Sequence, residues 1–151
     1  MTDSKQSQLL SIATHQTHLG DISLHQTALI TLENGLGDYR GNKNRKTAIT
    51  LISKKSWEVA CEESTANLDW TQRRAQLLID DIEFSDEDIG RKIAIGKVIL
   101  QINQETDPCQ LMDKLHQGLK HALTPNWRGG ARCEVLQGGL IEVGDAVRWL
   151  D

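Results

Sequence analysis

The chain is dominated by short runs in which branched apolar residues alternate with polar ones. The runs QLLSIATH, QTALITL and TAITLIS begin at residues 8, 26 and 47. Their twofold periodicity is typical of half-buried β-strands. We predict that the first two of these strands pair with each other. RRAQLLIDDIEF, from residue 73, predicts a further strand followed by a turn.

Glycines separate the predicted strands of the second half. RKIAIGKVILQINQ indicates two strands, or one bent strand, around Gly96, because an isolated glycine within a strand pattern marks a turn or a bulge. Short strands are also predicted around Gly138 and Gly139, and around Gly144 and Asp145. The second of these glycine pairs is of the kind that joins a hairpin.

Two segments have helical periodicity instead. KKSWEVACEES, from residue 54, places Trp57 and Cys61 in a helix-compatible pattern, so we expect Cys61 in the core or on a helix face. The second helix is predicted from Pro108 to His121, where three leucines spaced four apart form one apolar stripe. This helix is expected to pack on the sheet by that stripe.

These elements predict a mainly β fold with helical insertions (α+β), closed or nearly closed into a β-barrel. The 151 residues, 38% of them hydrophobic, are enough to bury one core. We therefore expect a single domain over residues 8–151, preceded by a disordered N-terminus over residues 1–7.

The formal net charge of −4 argues against a general nucleic-acid binder, which normally has an excess of basic residues. No run reaches the roughly 18 apolar residues of a membrane span, and the start of the chain lacks the pattern of a signal peptide. We therefore predict a cytoplasmic protein without a membrane partner. The three cysteines are far apart and odd in number, which favours free thiols.

One cysteine lies where a strand pattern changes to a helical one. In QINQETDPCQLMDKLHQGL, Asp107 is a suitable N-cap, Pro108 suits the first helical position, and Gln110 completes an arrangement like a capping box. Cys109 would then lie in the first turn, where free N–H groups and the helix dipole favour the thiolate, although the Asp107 carboxylate favours the thiol. A reactive cysteine and a buried structural cysteine are both compatible with this spacing.

Basic residues occur at several places that could meet an anion. The loop ENGLGDYRGNKNRK is rich in glycine, and its Arg40, Lys43 and Arg45 could bind a phosphate, but it matches no nucleotide-binding motif. A solvated hairpin loop is the alternative. Three further arginines, whose convergence on the same anion the sequence leaves open, are Arg73, Arg74 and Arg128.

The remaining polar residues indicate no other chemistry. The histidine pairs HQTH and HQGLKH lack the spacing of a zinc site, and no hydrolase motif or paired carboxylate in an evident pocket is visible. Asp38 and Asp145 are predicted to be turn residues that bond local backbone amides.

Four motifs taken in order resemble the MOSC domain, the family named for the C-terminal domain of molybdenum cofactor sulfurases. They are GLGDYRG, RRAQLLID, IGKVILQINQETDPC and RGGARCEVLQGGLIEVGDAV, and the resemblance covers residues 8 to 150. It implies a β-rich, barrel-like fold. It also implies that Cys109, the cysteine after a proline, carries sulfur as a persulfide or ligates molybdenum. One departure is Gln76, where many members have the shorter asparagine.

The resemblance also implies a ligand and partners. Molybdenum cofactor (molybdopterin) is a pterin dithiolene with a phosphate, so the basic residues become candidates to bind it: Arg40, Arg45, Arg73, Arg74 and Arg128. Related proteins reduce N-hydroxylated compounds, which implies a reductase served by an electron-transfer protein, or a sulfur carrier served by a donor such as a cysteine desulfurase. A non-catalytic cofactor-binding or delivery module is the alternative. Pyridoxal phosphate is not expected, because 151 residues leave no room for its domain.

Overall fold

A computed structural model of the chain describes residues 7–39, 41 and 43–150. Within these described residues ten strands are formed: β1 Leu9–His15, β2 Ile22–His25, β3 Thr27–Ile30, β4 Ile49–Ser53, β5 Leu77–Ile79, β6 Lys92–Ile95, β7 Val98–Glu105, β8 Ala131–Gln137, β9 Gly139–Glu142 and β10 Val147–Leu150. The α-helices are α1 Lys54–Ser64, α2 Gln110–Leu115 and α3 Leu119–Leu123, and short 3-10 helices cover Arg45–Thr47, Trp70–Arg73, Asp86–Asp88 and Pro125–Trp127. The predicted mainly β class with helical insertions is confirmed.

Eight strands form one sheet in the order β10-β6-β7-β8-β4-β5-β1-β2, and β3 pairs with β9 in a separate ribbon. The β4–β5 pair is parallel and the other pairs are antiparallel. The sheet ends on β10 and β2, so of the predicted closed or nearly closed barrel only the closed form is wrong. One isolated bridge, from Gln8 to Ala146, brings the start of β1 beside the turn before β10. The sheet therefore curves towards closure without a continuous ladder.

The middle of the sheet is buried on both faces. Leu51 of β4 and Leu77 of β5 belong to the larger apolar cluster, which lies inside the curved sheet. Their neighbours Ile52 and Leu78 point the other way and join a second cluster with residues of all three helices, including Trp57. Strands covered on both faces have continuous apolar sequences, which explains the run at β4. The buried Cys61 of α1 lies in this second cluster, as predicted.

Two details of the predicted pairing are wrong. β1 pairs with β2 and β5, whereas β3 leaves the large sheet and pairs with β9. β10 pairs with β6, so the turn at Gly144 and Asp145 does not join a hairpin. The β6–β7 hairpin around Gly96 is confirmed. The predicted helix from 108 to 121 is instead two short helices, because His116 is extended and Gly118 adopts φ = 93° between them.

Two further predictions concern the N-terminal residues and the membrane. Of the predicted disordered residues 1–7, only Ser7 is described, and its carbonyl accepts a hydrogen bond from Val147 N–H. In the described part of the chain, no helix has both the length and the apolar character needed to cross a membrane.

Candidate functional site

Cys109 lies at the entry to α2, but not in the helical position that the sequence predicts. Helix α2 begins at Gln110, and Cys109 itself is the N-cap, with extended backbone angles of φ = −121° and ψ = −179°. The assignment of Asp107 as N-cap is therefore wrong by two residues. The thiol makes no capping hydrogen bond to the described part of the helix.

The exposed Cys109 lines a pocket of about 350 Å³, a volume within the range of about 300–1,000 Å³ that is usual for small-molecule sites. Thr106 and Asp107, from the segment that leads to the cysteine, form part of the same wall. The opposite parts come from sequence-distant elements, among them Tyr39 of the loop after β3 and Arg132 of β8. The pocket is thus assembled by tertiary structure and not by one motif.

The five arginines predicted to bind the cofactor do not all reach this pocket. Arg73 and Arg74 line it together with Cys109. Arg45 is exposed in a 3-10 helix, and neither it nor Arg128 is part of the wall as the described residues define it. Arg128 instead donates two hydrogen bonds to the Glu63 carboxylate, of 2.9 and 3.2 Å, and one to the Ala122 carbonyl. Arg40 lies outside the described residues.

Three buried polar atoms of the pocket wall have no hydrogen-bond partner among the described residues. They are Arg74 Nε, Thr106 Oγ1 and Arg132 Nε. A buried polar group left unpaired costs about 1–3 kcal/mol, so folded proteins seldom retain several in one place without a ligand. Two guanidinium donors and one hydroxyl are the groups that would meet an oxygen-rich anion.

Arg74 is held in a strained backbone conformation. It follows the 3-10 helix Trp70–Arg73 with φ = 65° and ψ = 26°, a left-handed conformation that costs a residue with a side chain about 1–2 kcal/mol. Its Nη2 donates a 2.7 Å hydrogen bond to the Gly20 carbonyl, which fixes the guanidinium at the pocket. Such strain is often retained at functional positions. The conformation also turns the adjacent arginines, Arg73 and Arg74, towards different partners.

The loop after β3 is tied to the sheet through Asp38. The side chain of Asp38 is buried and accepts hydrogen bonds from Gln76 Nε2, at 3.0 and 3.1 Å, and from the His15 amide at 3.1 Å. The prediction of bonds to local amides therefore did not include these contacts of Asp38 with distant residues. Gln76 uses its longer side chain to reach both Asp38 and the Thr50 amide, 2.9 Å away. This network fixes the neighbouring Tyr39, whose ring forms part of the pocket wall.

Two carboxyl groups and two other thiols complete the electrostatics. Burial, and then the nearby charge and hydrogen bond of Asp107, raise the pKa of Glu105, while Arg73 opposes the shift. The sequence analysis missed this pair of carboxyl groups, of which Asp107 lines the pocket. Burial raises the pKa of both the Cys61 and the Cys133 thiols. Cys133 is fully buried in β8 and does not share the pocket wall.

Arg132 and Thr106 were also missed by the sequence analysis. Alternation along ARCEV does predict that Arg132 faces away from Cys133, and the structure agrees, because Cys133 is buried and Arg132 is half-buried. The alternation does not tell which surface the outward face of β8 adjoins. Arg132 lies opposite Thr50 of β4, which places it at the pocket.

Comparison with known proteins agrees with this architecture. The chain superimposes on the YuaD protein from Bacillus subtilis with a TM-score of 0.75 and 14% identity, covering 94% of each chain. YiiM from Geobacillus stearothermophilus gives a TM-score of 0.70 and 17% identity, over 96% of this chain and 75% of that one. YiiM from Escherichia coli gives 0.67 and 12%, over 95% and 70%. At such identities the likeness establishes the fold alone.

No curated protein matches the chain in sequence. The family model of the MOSC domain matches residues 14–148, which is nearly the whole chain. The order of motifs, the β-rich fold with its cysteine pocket and this match agree with one another. The chain belongs to the MOSC domain family.

Proposed function

We propose that this protein binds molybdenum cofactor in the Cys109 pocket, with the Cys109 thiolate as a ligand of the metal. The observation that carries the proposal is the set of three unpartnered buried polar atoms beside an exposed thiol in one cavity. A cluster of guanidinium donors suits a phosphate, and a soft thiolate suits molybdenum. The residues present therefore fit both chemically distinct parts of the cofactor.

The pocket residues differ in the part of the cofactor that each would bind. Arg74 and Arg132 would bind the anionic oxygens, because their buried Nε atoms have unused hydrogen-bonding capacity within the described structure. Thr106 Oγ1 can donate or accept and would complete the same set. Cys109, at the rim, would face the metal. When bound, the cofactor supplies two-electron redox chemistry, which the reduction of N-hydroxylated compounds requires.

A second candidate function is supported by the position of Cys109 itself. Its side chain is exposed, as a thiol that accepts sulfur from another protein must be. In this function the Cys109 thiolate attacks the outer sulfur of a donor persulfide, the donor's S–S bond breaks, and the donor leaves as a thiolate. The protein would then carry sulfur or deliver the cofactor without turnover. A cysteine desulfurase is the donor class that this candidate requires, and an electron-transfer protein is the partner of the first.

Production in a cofactor-synthesising host separates these functions. Purified protein would be assayed for molybdenum and pterin per chain, and for reduction of an N-hydroxylated base with a chemical reductant. We expect bound metal and pterin, loss of metal in Cys109→Ser, and wild-type content in the control Cys61→Ser, which alters a thiol that does not line the pocket.

Each result has a definite meaning for the proposal. Wild-type protein without molybdenum or pterin would refute cofactor binding, and Cys109→Ser with full molybdenum would refute the role of the thiolate. Metal and pterin without turnover would favour delivery over reduction. A persulfide found on Cys109 by mass spectrometry after incubation with a desulfurase and cysteine would favour the sulfur carrier.

A further inference from the structure

Arg73, one of the two predicted arginines that line the pocket, donates hydrogen bonds to backbone carbonyls of the protein. Arg73 is 7% exposed, and its Nε donates a 3.0 Å hydrogen bond to the Gly129 carbonyl. Its Nη2 donates to the Thr106 carbonyl at 2.8 Å and to the Asp107 carbonyl at 3.3 Å. One side chain thus holds two segments that lie far apart in sequence, and one of them leads directly to Cys109.

The same two segments are joined by their backbones. Thr106 N–H donates to the Gly130 carbonyl at 2.9 Å. A Cβ atom at Gly129 would lie 2.5 Å from the Thr106 carbonyl oxygen and 3.1 Å from Arg73 Nη2. The first glycine of the RGG motif is therefore required for the close approach of these segments. Arg73 fills the junction where they meet.

This junction determines where Cys109 lies. The adjacent carbonyls of Thr106 and Asp107 both accept from the same Arg73 Nη2, which fixes the direction of the backbone at these residues. Cys109 follows two residues later and has extended angles before α2 begins. A planar guanidinium presents several donors in a fixed fork, which a lysine ammonium cannot reproduce. The requirement at position 73 is thus for shape as well as charge.

We propose that Arg73 is a positioning residue, which holds the segment from 105 to 109 so that Cys109 faces the pocket. The anion is bound by Arg74 and Arg132. That the anion is part of the cofactor rests on the proposed function. The positioning role of Arg73 does not. Arg73 and Arg74, adjacent in sequence, therefore have separate tasks.

The test uses the full-length protein without any added cofactor. The rate of Cys109 alkylation by iodoacetamide is followed by site-specific mass spectrometry, and exchange of the Thr106 amide is followed by hydrogen–deuterium exchange. We expect Arg73→Lys to accelerate both by about tenfold, the effect of losing one or two hydrogen bonds on local opening. The matched control, Arg45→Lys, changes an exposed arginine outside the pocket wall and should leave both rates at the wild-type value.

Inorganic phosphate serves as the anion probe. It should slow alkylation of Cys109 in the wild type, and Arg132→Gln should abolish this protection. Arg73→Lys with wild-type alkylation and exchange would overturn the proposal. Loss of phosphate protection in Arg73→Lys with unchanged exchange would identify Arg73 as an anion ligand and would also overturn it.

A second variant covers the case in which Arg73→Lys does not fold. Gly129→Ala keeps the guanidinium but places a Cβ atom against both the Thr106 carbonyl oxygen and Arg73 Nη2, so that these groups must shift. We expect the same acceleration of alkylation and exchange, and wild-type rates would contradict the positioning role. Absence of phosphate protection in the wild type would count against the proposed cofactor site alone, because the alkylation and exchange measurements need no anion.

Discussion

Substitution of Gly130 tests how closely the residue before β8 packs against the backbone of β4. It adopts φ = +108°, and a Cβ atom added there would lie 2.2 Å from the Leu51 carbonyl oxygen. That is more than 1 Å inside the 3.4 Å at which ordinary contact begins. The colliding atom belongs to the backbone of Leu51 in β4, which pairs with Ala131 in the β4–β8 ladder, so it cannot rotate away. Relief requires the two strands to separate.

The expected cost of Gly130→Ala has two parts. A side chain in a left-handed or similarly sparse backbone region costs about 1–2 kcal/mol. Forcing a methyl group into packed backbone adds about 1–3 kcal/mol. We therefore expect the free energy of unfolding to fall by about 3 kcal/mol, a large part of the roughly 5–15 kcal/mol of a whole domain.

The assay is urea unfolding at equilibrium, with Gly90→Ala as the matched control. Gly90 has a similar φ of +89°, but nothing lies within 4 Å of an added Cβ atom. The control therefore measures the conformational cost of about 1–2 kcal/mol without the collision. If Gly130→Ala loses no more stability than Gly90→Ala, the close contact between β4 and β8 is not as described. Thr106 amide exchange should accelerate in Gly130→Ala only, because the Gly130 carbonyl accepts that hydrogen bond.

Three further predictions concern side chains around the pocket. Gln76→Leu removes a donor from the buried Asp38 carboxylate, so urea unfolding should show a loss of about 2 kcal/mol; an unchanged midpoint would contradict that contact. Arg128→Gln breaks an ion pair of which only the Glu63 side is exposed, so stability should fall by about 1 kcal/mol and phosphate protection of the pocket thiol should persist. Because the folded protein raises the pKa of Glu105 above 4.5, it binds that proton more tightly than the unfolded chain. Unfolding free energy should therefore fall as the pH rises through and just above that value, and Glu105→Gln should remove this part of the slope.

Local signals in the sequence were sufficient for part of the site. The proline–cysteine pair after a strand and the two arginines before another predicted Cys109, Arg73 and Arg74, and these three residues do line one pocket. The signals are local because each depends on a few neighbouring residues. They did not show which arginine is free to bind a ligand, since that depends on acceptors more than 30 positions away, such as the Thr106 carbonyl.

The pairing of strands could not be obtained in the same way. β1 and β3 have equally good strand patterns, but which strands pair is decided by the faces that must be buried. β1 is buried over most of its length and suits a place beside β5, whereas Leu29 of β3 is 60% exposed and suits a two-stranded ribbon. The location of Arg132 depends on the same long-range choices, through the pairing of β8 with β4.

The late start of helix α2 has a physical cause in the same contacts that form the site. Considered alone, Asp107 and Pro108 favour a helix that begins at Pro108, and no local feature opposes it. In the folded protein, Arg73 donates hydrogen bonds to the Thr106 and Asp107 carbonyls, and the Thr106 amide donates one to the Gly130 carbonyl. These tertiary hydrogen bonds engage the backbone groups that precede the helix, and the N-cap lies at Cys109. The contact that overrides the local capping signal therefore also keeps the thiol out of the helix and at the pocket rim.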